Sequence, residues 1–215
     1  MHLKENPRFN TIPCITGTKK PAVEWTKYQD VMYEEEVTST NYAVMCGKTS
    51  KVIVIDCDHP DIAREIFDDF DKIIANTLVV QTGRGGHHIY VEYEESVFTA
   101  RFNHNVSIGK HIDIQSQGTI VIGPESVHEN GNEYKVISPT TDVMKMGDLV
   151  GFIKSLENKG YVPESNMSNR DIAKGTIPKG SRNTSAFKYA CHLFQYVGMD
   201  EDTATAEMNR WNNSL

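Results

Sequence analysis

The run Lys51-Val52-Ile53-Val54-Ile55-Asp56-Cys57-Asp58 constrains this chain more than any other feature. Its β-branched residues predict a strand from Lys51 to Cys57, and strand side chains alternate between the two faces of a sheet. Ile53, Ile55 and Cys57 therefore share one face, while Val52, Val54, Asp56 and Asp58 share the other. A hydrophobic strand thus ends with two carboxylates on one side. Two later stretches repeat the pattern. In His87 to Tyr93, Ile89 and Val91 oppose His88, Tyr90 and Glu92; in His111 to Gln115, Ile112 and Ile114 oppose His111, Asp113 and Gln115. Provided that the three strands are neighbours, Asp56, Asp58, Asp113 and His88 converge on one open sheet face.

Around these strands the order of elements is readable. Pro60 suits a first helical position, with Asp58 or His59 as the cap. Ile62, Ile66, Phe67, Phe70, Ile73 and Ile74 then form one apolar helical stripe. Thr77 to Gln81 reads as a strand, the turn Gly83-Arg84-Gly85-Gly86 leads into His87, and Thr119 to Ile122 reads as another strand. Strand, helix and strand followed by hairpin-like strands predict an α/β or α+β sheet packed on helices. A helix is expected over Met146 to Asn158, followed by a polar stretch from Pro163 to Gly180. A second stripe, Ala186, Phe187, Ala190, Leu193, Phe194 and Val197, stops at Gly198. Asp200 then caps a final helix carrying Ala204, Met208 and Trp211. The ending at Leu215 reads as that of a fragment of a longer protein, or of an unusually short version of one.

Composition narrows the function classes. With 215 residues, 39% of them hydrophobic, the chain suffices for one large domain or one domain with a small appendage. No apolar run approaches a membrane span and the N-terminus lacks a signal peptide, so an intracellular, cytoplasmic protein with no membrane partner is expected. Cys14, Cys46, Cys57 and Cys191 form no CxxC pair, against a disulfide framework or a thiolate zinc site. The net charge of −7 argues against coating nucleic acid by bulk electrostatics. A local grip on a short strand remains open.

Three converging carboxylates repel one another unless cations hold them. Hard divalent ions suit such oxygen ligands, and two ions about 3.5–4 Å apart clamp the attacking and leaving oxygens in phosphoryl transfer. Each element also has a plainer reading. Asp58 is as readily a helix cap as a ligand, a histidine beside a glycine turn is often structural, and Gly-Arg-Gly-Gly can be a hairpin turn alone. The ordered combination favours the catalytic reading.

That combination resembles the archaeo-eukaryotic primase superfamily, specifically the primase–polymerase domains of plasmids, viruses and mobile elements. Its three ordered motifs read here as Ile55-Asp56-Cys57-Asp58, Gly86-His87-His88 and Ile112-Asp113. "KKPAVEW" is similar to the family's Lys-x-Pro…Trp segment, "NYAVMCGKTSKVIVIDCD" to its approach to the first motif, and "GTIVIGPESVHENGNEY" to its Pro-x-Ser-x-His segment. The likeness covers residues 10–140. Where the second motif commonly has Ser, this chain has Gly86, which lacks a hydroxyl for phosphate.

The resemblance implies an α+β, RRM-like catalytic core over residues 1–160, a linker over 161–180 and the start of a helical C-terminal primase domain over 181–215. It implies a template-directed DNA primase/polymerase using two Mg²⁺ or Mn²⁺ ions on Asp56, Asp58 and Asp113. His88 is expected on the phosphates of the incoming nucleotide, with Arg84, Ser126, His128 and Lys110 as further nucleotide contacts and Lys20 as a weaker one. His87 is expected to face the core. Lys179, Arg182 and Lys188, in a run from Ile172 to Met199 without Asp or Glu, are expected on DNA. The implied partners are single-stranded DNA template, NTP or dNTP, and a helicase domain or protein. Two alternatives stand beside this reading: a metal-dependent nuclease or phosphohydrolase, and a non-catalytic replication-initiator module.

Overall fold

The computed structural model describes residues 3–164 and 199–212. The chain divides into two units, Met1–Pro163 and Glu164–Leu215. In chain order, the first contains β1 (Thr11–Pro13), β2 (Tyr42–Met45), β3 (Val52–Cys57), α1 (Ile62–Ile66), α2 (Phe70–Asn76), β4 (Val79–Gln81), β5 (His87–Glu92) and β6 (Ala100–His104). There follow β7 (His111–Gln115), β8 (Ile120–Ile122), β9 (Lys135–Val136), α3 (Leu149–Ser155) and β10 (Tyr161–Pro163). In the second unit, α4 (Glu201–Asn212) is the described helix. Asp200 caps it as expected, its carboxylate accepting from the Thr203 amide at 2.9 Å.

The strands form two sheets, one of order β10-β6-β7-β3-β5-β4-β9 and a smaller one of order β1-β2-β8. Every pairing is antiparallel. The architecture is thus mixed α and β, with antiparallel sheets and short helices. In the large sheet β3 is flanked by β5 and β7, the neighbours that the convergence of acidic residues requires. Tyr161–Pro163, at the start of the linker that the resemblance implies, form the edge strand β10 on β6.

One expectation is corrected. The face bearing Val52, Val54 and Asp56 is not open along its length. Val52, Val54, Val80 and Tyr90 are fully buried in a core shared with Ala43, Met45 and Val121 of the small sheet. Val52 and Val54 give that face too much apolar surface to leave wet, each such side chain being worth about 1.5–3 kcal/mol when buried. Only the end of the face at Asp56 is left to polar groups. The opposite face, with Ile53, Ile55, Ile89, Ile112 and Ile114, is buried as well.

The stripe from Ile62 to Ile74 is two helices rather than one. Phe67 leaves α1 in an extended conformation (φ −106°, ψ 128°), and the Asp69 side chain accepts from the Lys72 amide to start α2. The break lets Phe67 stack on Phe152 of α3, with ring centroids 5.0 Å apart. Neither Asp58 nor His59 gives α1 a side-chain cap; Asp61 holds that position without a capping hydrogen bond. The helix expected from Met146 is shorter, running from the Asp148 cap to Ser155.

Two buried asparagines tie loops to the small sheet. Asn10 donates to the Tyr28 and Val31 carbonyls and accepts from the Tyr33 amide. Asn41 donates to the carbonyls of Thr18 and Val127 and accepts from the Val127 amide. Cys14, Cys46 and Cys57 are free and buried. Burial pushes the Cys14 thiol up to about 11 and the Cys46 thiol up to about 12, values suited to packing rather than reactivity. No helix among the described residues is long and apolar enough to cross a membrane.

Candidate active site

The antiparallel ladders set a row of charged and polar side chains across four strands. Asp56 of β3 is the register partner of both His88 on β5 and Asp113 on β7. Asp113 is in turn the partner of Arg101 on β6. Register partners project to the same side of a sheet, so Arg101, Asp113, Asp56 and His88 follow one another across it.

Asp56 is half-buried at the edge of the covered face. Burial, followed by the adjacent Asp113 carboxylate, pushes its carboxyl up to about 7, while Lys19 and His111 act in the opposite direction. His88 is buried, its Nε2 3.5 Å from Asp56 Oδ1. Burial, reinforced by Lys19, lowers the imidazole to about 3, so it is neutral near pH 7. Its Nδ1 is buried without a hydrogen-bond partner. His87 points the other way, as alternation requires, with its ring edge-on to Phe70 at 5.0 Å.

Asp58 and Asp113 are engaged by protein groups. The His111 amide donates to Asp58 Oδ1 at 2.8 Å, and His111 Nδ1 lies 2.9 Å from Asp58 Oδ2. The same ring bridges toward Asp113, with Nε2 3.9 Å from its Oδ2. Arg101 grips Asp113 with a two-pronged contact, Nε to Oδ1 and Nη2 to Oδ2, each at 2.6 Å.

Beside the row lies a cavity of about 310 Å³ whose walls include Lys19, Lys20, Asn41, His128 and Tyr134. The rings of His88 and His128 flank Tyr134, with centroids at 5.8 and 6.0 Å from it. His128 accepts from the Asn130 amide at Nδ1, while its buried Nε2 has no hydrogen-bond partner. Asn41 fixes the cavity by joining the Thr18 and Val127 backbones across it.

Glycines make the approaches possible. A Cβ on Gly86 would stand 2.2 Å from the Cys57 carbonyl oxygen, and one on Gly83 would stand 2.3 Å from the His128 Cβ. The turn therefore packs against both the end of β3 and the His128 loop. Gly86 answers a lack of space there; a serine has no room for its Cβ.

The other expected contacts divide. Arg84 pairs with Glu129 at 3.0 Å and lines a separate polar cleft of about 490 Å³ with Gln81, Asn130, Asn132 and Lys135. Lys110 is drawn to Glu65 at 2.6 Å and Asp61 at 3.8 Å, and does not line the His128 cavity. The Ser126 hydroxyl is fully buried and accepts from the Tyr42 amide at 3.2 Å, so it serves the seam with β2 rather than the cavity. Lys179, Arg182 and Lys188 lie outside the described residues. Sequence reasoning missed Arg101, Lys19 and the bridging role of His111. Lys19 was legible only as the neighbour of Lys20; Arg101 lies in a strand too mixed in composition to announce itself.

The donor chemistry of Asp56, Asp58 and Asp113 fits a hard divalent cation. Burial first, and the Asp113 charge second, make Asp56 costly to ionise in the chain alone. Among the described residues, no group of three or more His, Cys, Asp or Glu side chains is already arranged to hold an ion; Asp113 turns instead to Arg101 and Asp58 to His111, while Asp56 faces His88.

Residues 2–149 match the family model "Bifunctional DNA primase/polymerase, N-terminal". Residues 170–215 match the model "Primase C terminal 1 (PriCT-1)". No curated protein matches the chain.

Proposed function

Since the chain belongs to the bifunctional DNA primase/polymerase family, we propose that the row centred on Asp56 carries template-directed nucleotidyl transfer, making or extending primers on single-stranded DNA. The family assignment points to a primase/polymerase role in replication. The observation that supports this reaction best is the register of Asp113, Asp56 and His88 across adjacent strands, beside a cavity carrying Lys19, Lys20 and His128.

In this reading the 3′-oxygen of a primer, or of an initiating nucleotide, attacks the α-phosphorus of an incoming NTP or dNTP. The bond to the β-phosphate breaks and pyrophosphate leaves. Asp56, Asp58 and Asp113 would hold two Mg²⁺ or Mn²⁺ ions, which would activate the attacking hydroxyl and neutralise the leaving group. Lys19 and Lys20 offset triphosphate charge in the cavity. His88, neutral and buried, presents a hydrogen-bonding ring between Asp56 and Tyr134, and His128 presents another from the cavity lining, also against Tyr134. Tyr134 keeps the two rings apart. The template is held mainly by its backbone, with Lys179, Arg182 and Lys188 as the proposed contacts.

Primer-extension and de novo synthesis assays with Asp56→Ala plus Asp58→Ala test the proposal. The double variant is expected to lose on the order of 10³-fold in rate, as removal of a charge-stabilising centre does. Undiminished incorporation in that variant sinks the reading. Strand cleavage in place of strand growth and pyrophosphate release identifies a nuclease instead.

A further inference from the structure

We propose that Arg101 is a resident cation at the Asp113 end of the acidic row, and that it competes with a divalent ion for Asp113 and so sets the metal affinity of the site. The inference rests on reading Asp56, Asp58 and Asp113 as divalent-ion ligands.

Arg101 and Asp113 are register partners on β6 and β7, and both carboxylate oxygens of Asp113 are taken, each at 2.6 Å. A planar guanidinium makes this paired contact because its two N–H groups match the spacing of the carboxylate oxygens. The carboxylate is deep in the row, its side chain 13% exposed, whereas the Arg101 side chain is 44% exposed. Arg101 is thus the more solvent-accessible member of the pair and Asp113 the more enclosed.

A divalent ion bound to Asp113 meets a positive charge already at its ligand oxygens. Like charges a few ångströms apart in a half-buried place repel strongly even at an effective dielectric of about 20, so the paired guanidinium weakens the hold of an ion on Asp113. His111 approaches the same carboxylate less closely, its Nε2 3.9 Å from Asp113 Oδ2 against 2.6 Å for each Arg101 contact, and the nearby lysines are engaged elsewhere. Lys110 pairs with Glu65 and Asp61. The Lys19 charge acts on Asp56 and His88. The arrangement explains how Asp113 is held before any ion arrives: Arg101 compensates its charge through both carboxylate oxygens.

Mn²⁺ titration of the full chain, followed by electron paramagnetic resonance of free Mn²⁺, tests this directly. Arg101→Gln and Arg101→Met are expected to bind Mn²⁺ on the order of tenfold more tightly than wild type, with Arg101→Lys close to wild type. A second readout is thermal unfolding. Without divalent ions the neutral variants should melt below wild type, and saturating Mn²⁺ should raise their melting temperature by more. Equal or weaker Mn²⁺ binding in folded Arg101→Gln, with binding still lost in Asp56→Asn, overturns the role of Arg101 alone. Absence of saturable binding in wild type and variants overturns both this proposal and the metal reading beneath it.

Discussion

Asp56 and Asp113 are direct register partners across the β3–β7 ladder, so two carboxylates stand side by side at the edge of a covered sheet face. Burial, with this proximity added to it, raises the Asp56 carboxyl to about 7. A carboxyl raised on folding binds its proton more tightly in the folded chain. It therefore contributes stability below its unfolded value near 4, and that contribution is lost as pH rises through about 7. In chelator, Asp56→Asn should stabilise the chain at pH 8 by on the order of 2 kcal/mol, or roughly 4–8 °C, with almost no gain at pH 4. Melting curves of both proteins across this range provide the check.

Gly86 sits where a side chain has no space, since a Cβ there would lie 2.2 Å from the Cys57 carbonyl oxygen. Gly86→Ser restores the residue commonly found in the family's second motif. The clash predicts a loss of about 1–3 kcal/mol in urea unfolding rather than tighter nucleotide binding.

Lys19 and Lys110 separate two kinds of surface lysine. Lys19 lines the cavity beside His128, whereas Lys110 is drawn to Glu65 and Asp61. Steady-state kinetics should show Lys19→Ala raising KM for dNTP on the order of tenfold with a smaller change in kcat. Lys110→Ala should leave KM within about twofold. An equal response of the two variants contradicts the assignment of the cavity to the triphosphate.

Ser126 holds the seam with β2 and Asn41 holds the cavity wall, each through bonds to backbone. Ser126→Ala leaves the Tyr42 amide without its hydroxyl acceptor and should cost about 1–3 kcal/mol with KM unchanged. Asn41→Ala removes three hydrogen bonds between the Thr18 and Val127 segments. It should cost more, and it should raise KM because Lys19 and His128 lose their common anchor. Comparing unfolding free energy with KM for the two variants tests this.

The acidic row was legible because period-two alternation is a local property: Asp56, His88 and Asp113 each sit in a run apolar enough to declare both strand and facing. His87 and His88 were separated on the same ground. Less of the surroundings could be read. Val52 and Val54 carry no label saying which of two sheets they meet, so the cover over that face was invisible. Arg101 lies in Ala100–His104, where one buried residue, Phe102, gives no clear period. The break between α1 and α2 had a signal in Asp69, a good cap inside an apolar stripe, but periodicity alone ran across it. Ser126 was assigned from its motif; its buried bond to the Tyr42 backbone depends on a tertiary seam that no local pattern encodes.

The central place of β3 bears on how the chain assembles. Both strands that complete the row, β5 and β7, come later in the sequence, and the residue that compensates Asp113 comes from β6. During synthesis Asp56 emerges long before its partners, as an ordinary carboxylate with an ordinary affinity for protons and ions. Its special character arises only when distant segments dock, a slow class of event in folding. Titration of that single group, followed over time after dilution from denaturant, is therefore a clock for the closing of the sheet.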